Sequence, residues 1–298
     1  MSKHSNRNLL QRKTNFRLFG GLGNQLFILA AGRYLEEKFS HRVVYNTWYL
    51  ERFGENHGCT LEHRGFSDSF RRTSPPLPNL SKAVSRRLRW ADRVYIPKFG
   101  LGWDPELGSV SRGRTVNGYF QSWRYPAALD KSISRDAILL QSGTSAWFEE
   151  RRAAAIHDRP LIAHVRRGDY EGLASEFGLV GRDYYSKAIR YARSVGMDND
   201  IWVVSDDPSA AASVLGSANL VAHFLQPPSG NDPGESLALM AYGGANIISN
   251  STFAWWGAFL NPGANLVIAP CPWFRGLPAP SHLLPTHWTS LSHRFEDR

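Results

Sequence analysis

The alternation of apolar and polar positions in the first fifty residues predicts a strand, a glycine turn, a helix and a second strand. A short apolar run, Asn15–Phe19, leads into the turn Gly20-Gly21-Leu22-Gly23. From Asn24 onward, apolar residues recur at the spacing of one helix face, and Arg42–Asn46 is rich in β-branched residues. This order is a βαβ unit, which indicates a parallel sheet.

The second half of the chain alternates strands and helices more regularly. Apolar runs predict strands at 161–165, 201–204, 220–225, 246–248 and 266–269. Helical spacing predicts helices at 184–195, 208–215, 235–242 and 252–260. We therefore expect an α/β chain of two domains, 1–158 and 159–298, the second of them doubly wound. Such sheets bind their ligands at the carboxyl ends of the strands.

Between these regions, prolines and glycines interrupt the pattern from Trp48 to Gly113. Inside this stretch, an apolar stripe flanked by basic residues predicts an amphipathic helix, formed by Leu80, Val84, Leu88, Ala91 and Tyr95. One interpretation is a solvated surface helix of a basic protein. The other is contact with an anionic membrane face or a charged acceptor.

Composition and charge narrow the class of protein. The 298 residues are 42% hydrophobic and 20% charged, as in an ordinary folded protein, and the formal net charge is +9. This surplus favours anionic partners such as nucleic acid, phospholipid head groups or a phosphate-bearing substrate.

Cys59 and Cys271 form neither a disulfide framework nor a metal-ligand spacing. Glycine, asparagine and proline break the uncharged stretch Ser236–Phe274, and the basic N-terminus has no apolar core. We therefore expect a reduced, cytoplasmic protein without a membrane span or signal peptide.

Two arginines at the end of the first predicted strand of the second half are the strongest chemical feature. The run is His164-Val165-Arg166-Arg167-Gly168-Asp169. Adjacent guanidinium groups beside a turn glycine can neutralise a diphosphate leaving group without a metal. The alternative is that the arginines form structural ion pairs with Asp169 or other acids. We expect His164 to be a buried supporting residue rather than a base.

Polar residues follow other strands of the same predicted sheet. Ser205-Asp206-Asp207 follows one strand, and Ser249-Asn250-Ser251-Thr252 opens a helix whose N-terminus suits phosphate oxygens. A strand-end aspartate suits ribose hydroxyls or a purine edge. Asp207 and Ser251 are also ordinary helix N-caps, and capping does not exclude contact with a ligand.

The sequence contains one candidate metal-binding motif, and its position argues against that role. Asp198-Asn199-Asp200 has the D-x-D form of a metal site, but it stands before its strand, away from the expected ligand crevice. We therefore predict no metal site. The glycine turn Gly20–Gly23 fits an anion or a sugar hydroxyl, although tight backbone geometry explains its glycines equally well.

Three blocks of sequence together resemble the α-1,2-fucosyltransferases of glycosyltransferase family 11. They are Phe19-Gly20-Gly21-Leu22-Gly23-Asn24-Gln25-Leu26-Phe27, His164-Val165-Arg166-Arg167-Gly168-Asp169-Tyr170 and Asn250-Ser251-Thr252-Phe253-Ala254-Trp255-Trp256-Gly257. Gly118-Tyr119-Phe120-Gln121-Ser122, Ser205-Asp206-Asp207 and Val267-Ile268-Ala269-Pro270 support them. One departure is Ala254, where the family usually has serine.

The resemblance implies a GT-B-like fold, in which two Rossmann-like domains face a cleft. It also implies inverting, metal-independent transfer of L-fucose from GDP-β-L-fucose to the 2-hydroxyl of a terminal galactose. The N-terminal domain would lie on the acceptor side, and the C-terminal domain would hold the donor. The expected partners are GDP-fucose and a galactose-terminated glycan or lipid-linked oligosaccharide. No cofactor beyond the donor substrate is expected.

The resemblance also assigns roles to the donor-site residues. Arg166 would hold the β-phosphate, with Arg167 and Asp169 ordering the loop. Asp206 would lie near the nucleoside. The remaining donor-side residues would be the supporting His164, the phosphate-pocket residues Asn250, Ser251 and Thr252, and, from the N-terminal side, Gly21, Gly23 and Asn24.

For the reaction itself we expect Arg166 to stabilise the leaving GDP and a nearby carboxylate to accept the proton. Asp169, Glu171 and Glu176 are the acids closest to the arginines in sequence. The alternatives are a fucosyltransferase of other regiochemistry, or a non-catalytic protein that binds nucleic acid or glycan. The absence of a nucleic-acid-binding motif speaks against nucleic acid. Peripheral contact with the inner membrane face, through the basic helix around Arg86, is a further expectation.

Overall fold

Parallel strands form two separate sheets in this protein. The computed structural model describes residues 12–53, 61–66, 68–73, 94–216 and 222–296, with the side chains of 51–53, 169 and 171 excepted. The described residues divide into two compact units. The first comprises residues within Met1–Glu62, Phe66–Ile133 and Pro280–Leu283, and the second comprises residues within His63–Gly65, Ser134–Ala279 and Leu284–Arg298.

Strands and helices alternate along much of the described chain. The strands are β1 (Thr14–Arg17), β2 (Val43–Asn46), β3 (Phe70–Arg71), β4 (Val94–Tyr95), β5 (Thr115–Val116), β6 (Leu161–Val165), β7 (Ile201–Ser205), β8 (Ala222–Phe224), β9 (Ala245–Ile247), β10 (Leu266–Cys271) and β11 (Thr289–Ser292). The α-helices are α1 (Leu22–Phe39), α2 (Trp48–Phe53), α3 (Arg124–Ala127), α4 (Ala146–Asp158), α5 (Arg182–Ser194), α6 (Pro208–Leu215), α7 (Pro233–Met240) and α8 (Thr252–Phe259). Short 3₁₀ helices occupy Leu107–Ser109, Asp136–Ile138 and Gly168–Glu171.

The first unit is built on a five-stranded parallel sheet in the order β3-β2-β1-β5-β4. Its central strand β1 buries Phe16 completely, and the following helix α1 buries Leu26, Phe27 and Leu29. Gly20, just before that helix, has φ +74°, a left-handed conformation that glycine adopts without strain. The predicted strand, glycine turn and helix are therefore confirmed.

The second unit is built on a six-stranded parallel sheet in the order β11-β10-β9-β6-β7-β8. Counted from β6, this is the 3-2-1-4-5-6 order of Rossmann-type sheets. Helix α5 covers one face with the buried side chains of Tyr184, Tyr185 and Ile189. The Tyr184 hydroxyl lies within hydrogen-bond distance of the Ile248 carbonyl, at 2.7 Å, and the Ile268 carbonyl, at 3.0 Å. The expectation of two Rossmann-like α/β domains is confirmed.

The chain passes from the first unit to the second between Ile133 and Ser134. This point precedes the predicted boundary at Asp158. Helix α4 therefore lies in the second unit. Its N-cap, Ser145, is held there by Glu235 of α7, because the Ser145 backbone N–H and hydroxyl each donate to that carboxylate at 2.6 Å. A polar cap that bonds to a distant helix leaves no pattern in the local sequence.

Other expectations are met in part. Strand β11 was not predicted, and neither was α4. Except for Val94 and Tyr95, which form β4, the predicted basic amphipathic helix around Arg86 lies outside the described residues. Cys271 is an exposed free thiol. Of the helices in the described ranges, none combines the length and apolarity needed to cross a bilayer.

A buried ion pair fixes residues 63–65 in the second unit, although the flanking chain belongs to the first. The Arg64 side chain is only 1% exposed, and its guanidinium binds the Asp232 carboxylate through two hydrogen bonds of 2.7 and 2.8 Å. It also donates to the Ile138 carbonyl. Gly234 leaves room for it, since a β-carbon there would lie 2.2 Å from Arg64 Nη1.

We expect Asp232→Ala to lower the free energy of unfolding by about 3 kcal/mol, because it leaves a buried guanidinium without its carboxylate partner. Urea denaturation followed by tryptophan fluorescence measures the change. Asp130→Ala is the matched control, since Asp130 pairs with Lys38 while 80% exposed and its loss should change stability by less than about 1 kcal/mol. Equal effects of the two substitutions would contradict the structural role of the Arg64 pair.

Candidate functional site

The loop after β6 carries the two predicted arginines at the carboxyl edge of the second sheet. All five residues of β6 are buried, as expected for a central strand covered on both faces. The chain then leaves the sheet through Arg166 and Arg167 and enters the 3₁₀ turn Gly168–Glu171. Asp169 and Glu171 both lie on this turn, next to the arginines in the backbone.

Arg167 is a structural residue by its contacts. Its side chain is 4% exposed and forms two hydrogen bonds, of 2.5 and 3.0 Å, with the carboxylate of Glu296. Its guanidinium also donates to the Val180 carbonyl at 3.3 Å. The charge of Arg167 is therefore used to anchor the loop to the C-terminal segment, which is the ion-pair alternative that the sequence left open.

Asp206, at the end of β7, joins that strand to the arginine loop. Its Oδ1 accepts the backbone N–H of Arg167 at 2.9 Å, and its Oδ2 lies 3.2 Å from Nη1 of Arg166. Gly168 allows this approach, because a β-carbon at that position would lie 2.3 Å from Oδ2. The carboxylate that the resemblance places near a nucleoside thus also holds the loop.

Arg166 remains the accessible member of the pair. Its side chain is 24% exposed, and its guanidinium carbon lies 5.5 Å from the centre of the Tyr170 ring. The Tyr170 hydroxyl donates to the Asn250 carbonyl at 3.1 Å. These contacts connect the end of β6 to the segment that follows β9. Tyr170 belongs to the arginine motif, but no sequence signal predicted these contacts of its side chain.

The segment Ser249–Thr252 brings a helix N-terminus to the same edge of the sheet. Asn250 donates its amide to the carbonyls of Phe177 and Gly178, at 2.9 and 3.2 Å, so this side chain shapes the turn. Ser251 is the N-cap of α8, yet its hydroxyl makes no capping hydrogen bond. Asp207, in contrast, caps α6 by accepting the N–H of Ala210 at 2.9 Å.

His164 lies beneath the arginine loop as a neutral, buried imidazole. Its Nδ1 lies 2.9 Å from the Ser249 hydroxyl, and the Tyr185 hydroxyl donates to its backbone carbonyl at 2.9 Å. Burial, together with the positive charge of Arg166, lowers the pKa of His164 to about 3. A histidine with that pKa is a weak base, in agreement with the expected supporting role.

The glycine turn lies in the first unit and is braced from within. The Gln25 amide donates to the Gly20 carbonyl at 2.9 Å, and the Gln121 amide donates to Asn24 Oδ1 at 3.0 Å. Gly21 is the N-cap of α1, and Gly23 is buried inside that helix. Two blocks quoted separately from the sequence, around Gly20 and Gly118, therefore meet through Asn24 and Gln121.

The structure thus brings six predicted residues to one edge of the second sheet, with Arg167 anchored just behind them: His164, Arg166, Asp206, Asn250, Ser251 and Thr252. Gly21, Gly23 and Asn24 lie in the other unit. Glu296, the ion-pair partner of Arg167, was not predicted from the sequence, since it lies 129 positions from that arginine along the chain. In the described ranges, no group of three His, Cys, Asp or Glu side chains is placed to hold a metal ion. Asp198 and Asp200 precede β7, at the opposite end of the strand from Asp206.

Comparisons with known proteins agree with this arrangement. Residues 153–276, which contain the whole arginine loop and the Ser249–Thr252 segment, match the sequence model "Glycosyl transferase family 11". An Escherichia coli "O-antigen biosynthesis glycosyltransferase WbnK" is 28% identical over 87% of this chain and 94% of its own. An Escherichia coli "Alpha-1,2-colitosyltransferase" is 24% identical over 87% of this chain and 91% of its own.

Among solved structures, the fucosyltransferase NodZ from Bradyrhizobium has a TM-score of 0.49 at 16% identity, covering 84% of this chain and 94% of its own. POFUT1 in complex with GDP-fucose has a TM-score of 0.46 at 12% identity, with 87% and 98% covered. The protein is a glycosyltransferase built on two Rossmann-like α/β units. Residues 153–276 match the model of glycosyltransferase family 11, so the resemblance seen in the sequence is confirmed.

The buried histidine gives a pH dependence of stability. Because the pKa of His164 is lower in the folded than in the unfolded chain, its contribution is complete above about pH 6.5 and decreases as the pH falls toward 3. We expect the wild type to lose about 1 kcal/mol more per pH unit than His164→Asn between pH 6 and pH 4. Urea denaturation of both proteins across this range compares the slopes. Parallel slopes would contradict the neutral, buried state.

Proposed function

We propose that the protein is an inverting, metal-independent fucosyltransferase that transfers L-fucose from GDP-β-L-fucose to the 2-hydroxyl of a terminal galactoside. The coarser assignment, a family 11 glycosyltransferase, is the starting point. One relative is named for colitose transfer and another for O-antigen synthesis. The donor sugar and the acceptor are therefore the parts of the proposal that need direct tests.

The observation that carries the proposal is the position of Arg166. The order of the second sheet reverses direction between β6 and β9, and open α/β sheets bind ligands at such a point. Arg166 follows β6, and the N-terminus of α8 follows β9. Tyr170 links the two, because it lies against the Arg166 guanidinium and donates to Asn250. A guanidinium and a helix N-terminus at one switch point suit the diphosphate of a nucleotide sugar.

The proposed reaction is a single displacement. The acceptor oxygen forms a bond to the anomeric carbon of fucose while the bond from that carbon to the GDP oxygen breaks on the opposite face. Arg166 and the N–H groups at the start of α8, with the hydroxyls of Ser251 and Thr252, stabilise the charge that develops on GDP. A carboxylate accepts the acceptor proton, and Asp169, Glu171 and Glu176 are the candidates.

The residues around Arg166 serve as positioning residues in this account. Asp206 and Glu296 fix the loop through Arg167, and neutral His164 supports the strand below it. Because Arg167 is buried against Glu296, Arg166, which is partly exposed and lies against Asp206, is the one accessible arginine of the loop, and the loop carries no basic stripe. This favours a small diphosphate over nucleic acid as the bound anion.

The proposed acceptor is a galactose-terminated glycan or lipid-linked oligosaccharide. We place the protein in the cytoplasm, with peripheral contact at the inner membrane face. Flotation with anionic vesicles tests that contact, and the absence of binding would contradict it.

We expect Arg166→Ala to lower kcat/KM for GDP-fucose by about 30-fold to 1000-fold, because a lost charge-assisted contact in the transition state costs roughly 2 to 4 kcal/mol. Arg190→Ala, which removes the same charge from the exposed face of α5, should leave the rate unchanged. The measurement is GDP release with a galactoside acceptor in the presence of EDTA, followed by linkage analysis of the product. A rate for Arg166→Ala within about tenfold of wild type would contradict the proposed role.

A further inference from the structure

A pocket in the first unit lies at the carboxyl edge of its own sheet. Its volume is about 490 Å³, within the usual range for small-ligand sites, and it is lined by residues that follow strands β1, β4 and β5. Arg17 is the last residue of β1, and Asn117 and Tyr119 come directly after β5. None of these residues belongs to the donor site described above.

The pocket stands where the order of the first sheet reverses. Strands β2 and β3 lie on one side of β1 in the sheet. On the other side, β5 lies next to β1 and β4 lies at the edge. The reversal therefore falls between β1 and β5, which carry Arg17 and Asn117 at their ends. By the rule that places ligands at such points in open α/β sheets, this is the expected binding position of the first unit.

Aromatic side chains give the pocket the character of a saccharide site. Phe19 and Tyr119 meet edge to face with ring centres 4.6 Å apart, and the Arg17 guanidinium lies 4.6 Å from the centre of the Tyr49 ring. Aromatic faces pack well against the C–H-rich face of a pyranose, while the polar atoms of Asn117 and the tyrosines can meet its hydroxyls. The lining thus suits one or two sugar rings.

The positive charge of the pocket indicates which class of saccharide it binds. Of the described residues that line it, Arg17 alone is charged. The Arg17 Nε is buried and has no hydrogen-bond partner among the described residues. A partly buried guanidinium with no carboxylate partner in the described part of the chain favours an oxyanion, which its planar fork binds through two hydrogen bonds.

We propose that this pocket binds an acidic residue of the acceptor glycan, with the oxyanion of that residue on Arg17 and its ring against the aromatic side chains. The oxyanion is either the carboxylate of an acidic sugar or a sugar phosphate. The inference rests on the proposed function, since it names the acceptor class of the same enzyme. Arg17 then selects acidic over neutral acceptors.

The test is direct binding of simple saccharides without turnover, by titration calorimetry or saturation-transfer NMR. The probes are methyl galactoside, methyl galacturonide and galactose 6-phosphate. We expect the wild type to bind at least one acidic probe about tenfold or more tighter than methyl galactoside. The acidic probe that binds more tightly identifies the carboxylate or the phosphate as the preferred oxyanion.

Three variants assign the preference to Arg17. Arg17→Gln should remove it, and Arg17→Lys, which keeps the charge but not the fork, should retain only part of it. Lys13→Gln is the matched control, because Lys13 is an exposed cation just before the opposite end of β1, and it should keep the full preference. Thermal unfolding of each variant verifies that the unit is folded.

GDP binding measured on the same samples separates this inference from the proposed function. A wild type that binds GDP but shows no acidic preference would overturn the inference alone, as would an Arg17→Gln variant that keeps the preference. If Arg17→Gln weakens GDP as strongly as the acidic probe, Arg17 serves the donor and the inference is wrong. Failure of the wild type to bind GDP would instead count against the proposed function.

Discussion

The carboxylate of Asp206 connects the end of β7 to the loop that follows β6. Through one oxygen it accepts the Arg167 N–H, and through the other it meets the Arg166 guanidinium. The contact is so close that a β-carbon at residue 168 would displace this carboxylate. Because Arg167 is buried against Glu296, Arg166 is the more exposed arginine of the loop. The two adjacent arginines therefore differ in their surroundings: Arg167 is buried and anchors the loop, whereas Arg166 is partly exposed and is the one that we propose binds the ligand.

The sequence predicted the parts of the fold in which local pattern and tertiary environment agree. Strands β6 and β7 are continuous apolar runs because they are buried inside a parallel sheet, and such runs are visible without a structure. Strands β4 and β5 have two residues each, and β11 alternates half-buried and exposed positions, so pairing with a neighbour defines them rather than composition. Contacts between distant residues, such as Arg167 with Glu296 and Arg64 with Asp232, leave no local signal.

In the candidate site, too, local motifs were predictable from the sequence and contacts between distant residues were not. Strand-end motifs located Arg166, Asp206 and Ser251, because in a parallel sheet the carboxyl ends of the strands lie at one edge. The sequence did not show which arginine is accessible, because Arg167 is buried by its pairing with the distant Glu296. In each unit, an arginine stands at the carboxyl end of the first strand: Arg17 closes β1 and Arg166 follows β6. In both sheets, the strand order reverses beside that first strand.

The most direct test of the account is the affinity for GDP and GMP of the wild type, Asp206→Asn and Asp207→Asn, measured by calorimetry. If Asp206 acts by holding the arginine loop against the β-phosphate, Asp206→Asn weakens GDP about tenfold or more and weakens GMP, which lacks that phosphate, by clearly less. Asp207→Asn retains a capping residue and should bind both nucleotides normally. An Asp206→Asn variant with wild-type affinity for GDP, or with equal losses for GDP and GMP, would contradict the central role of this carboxylate.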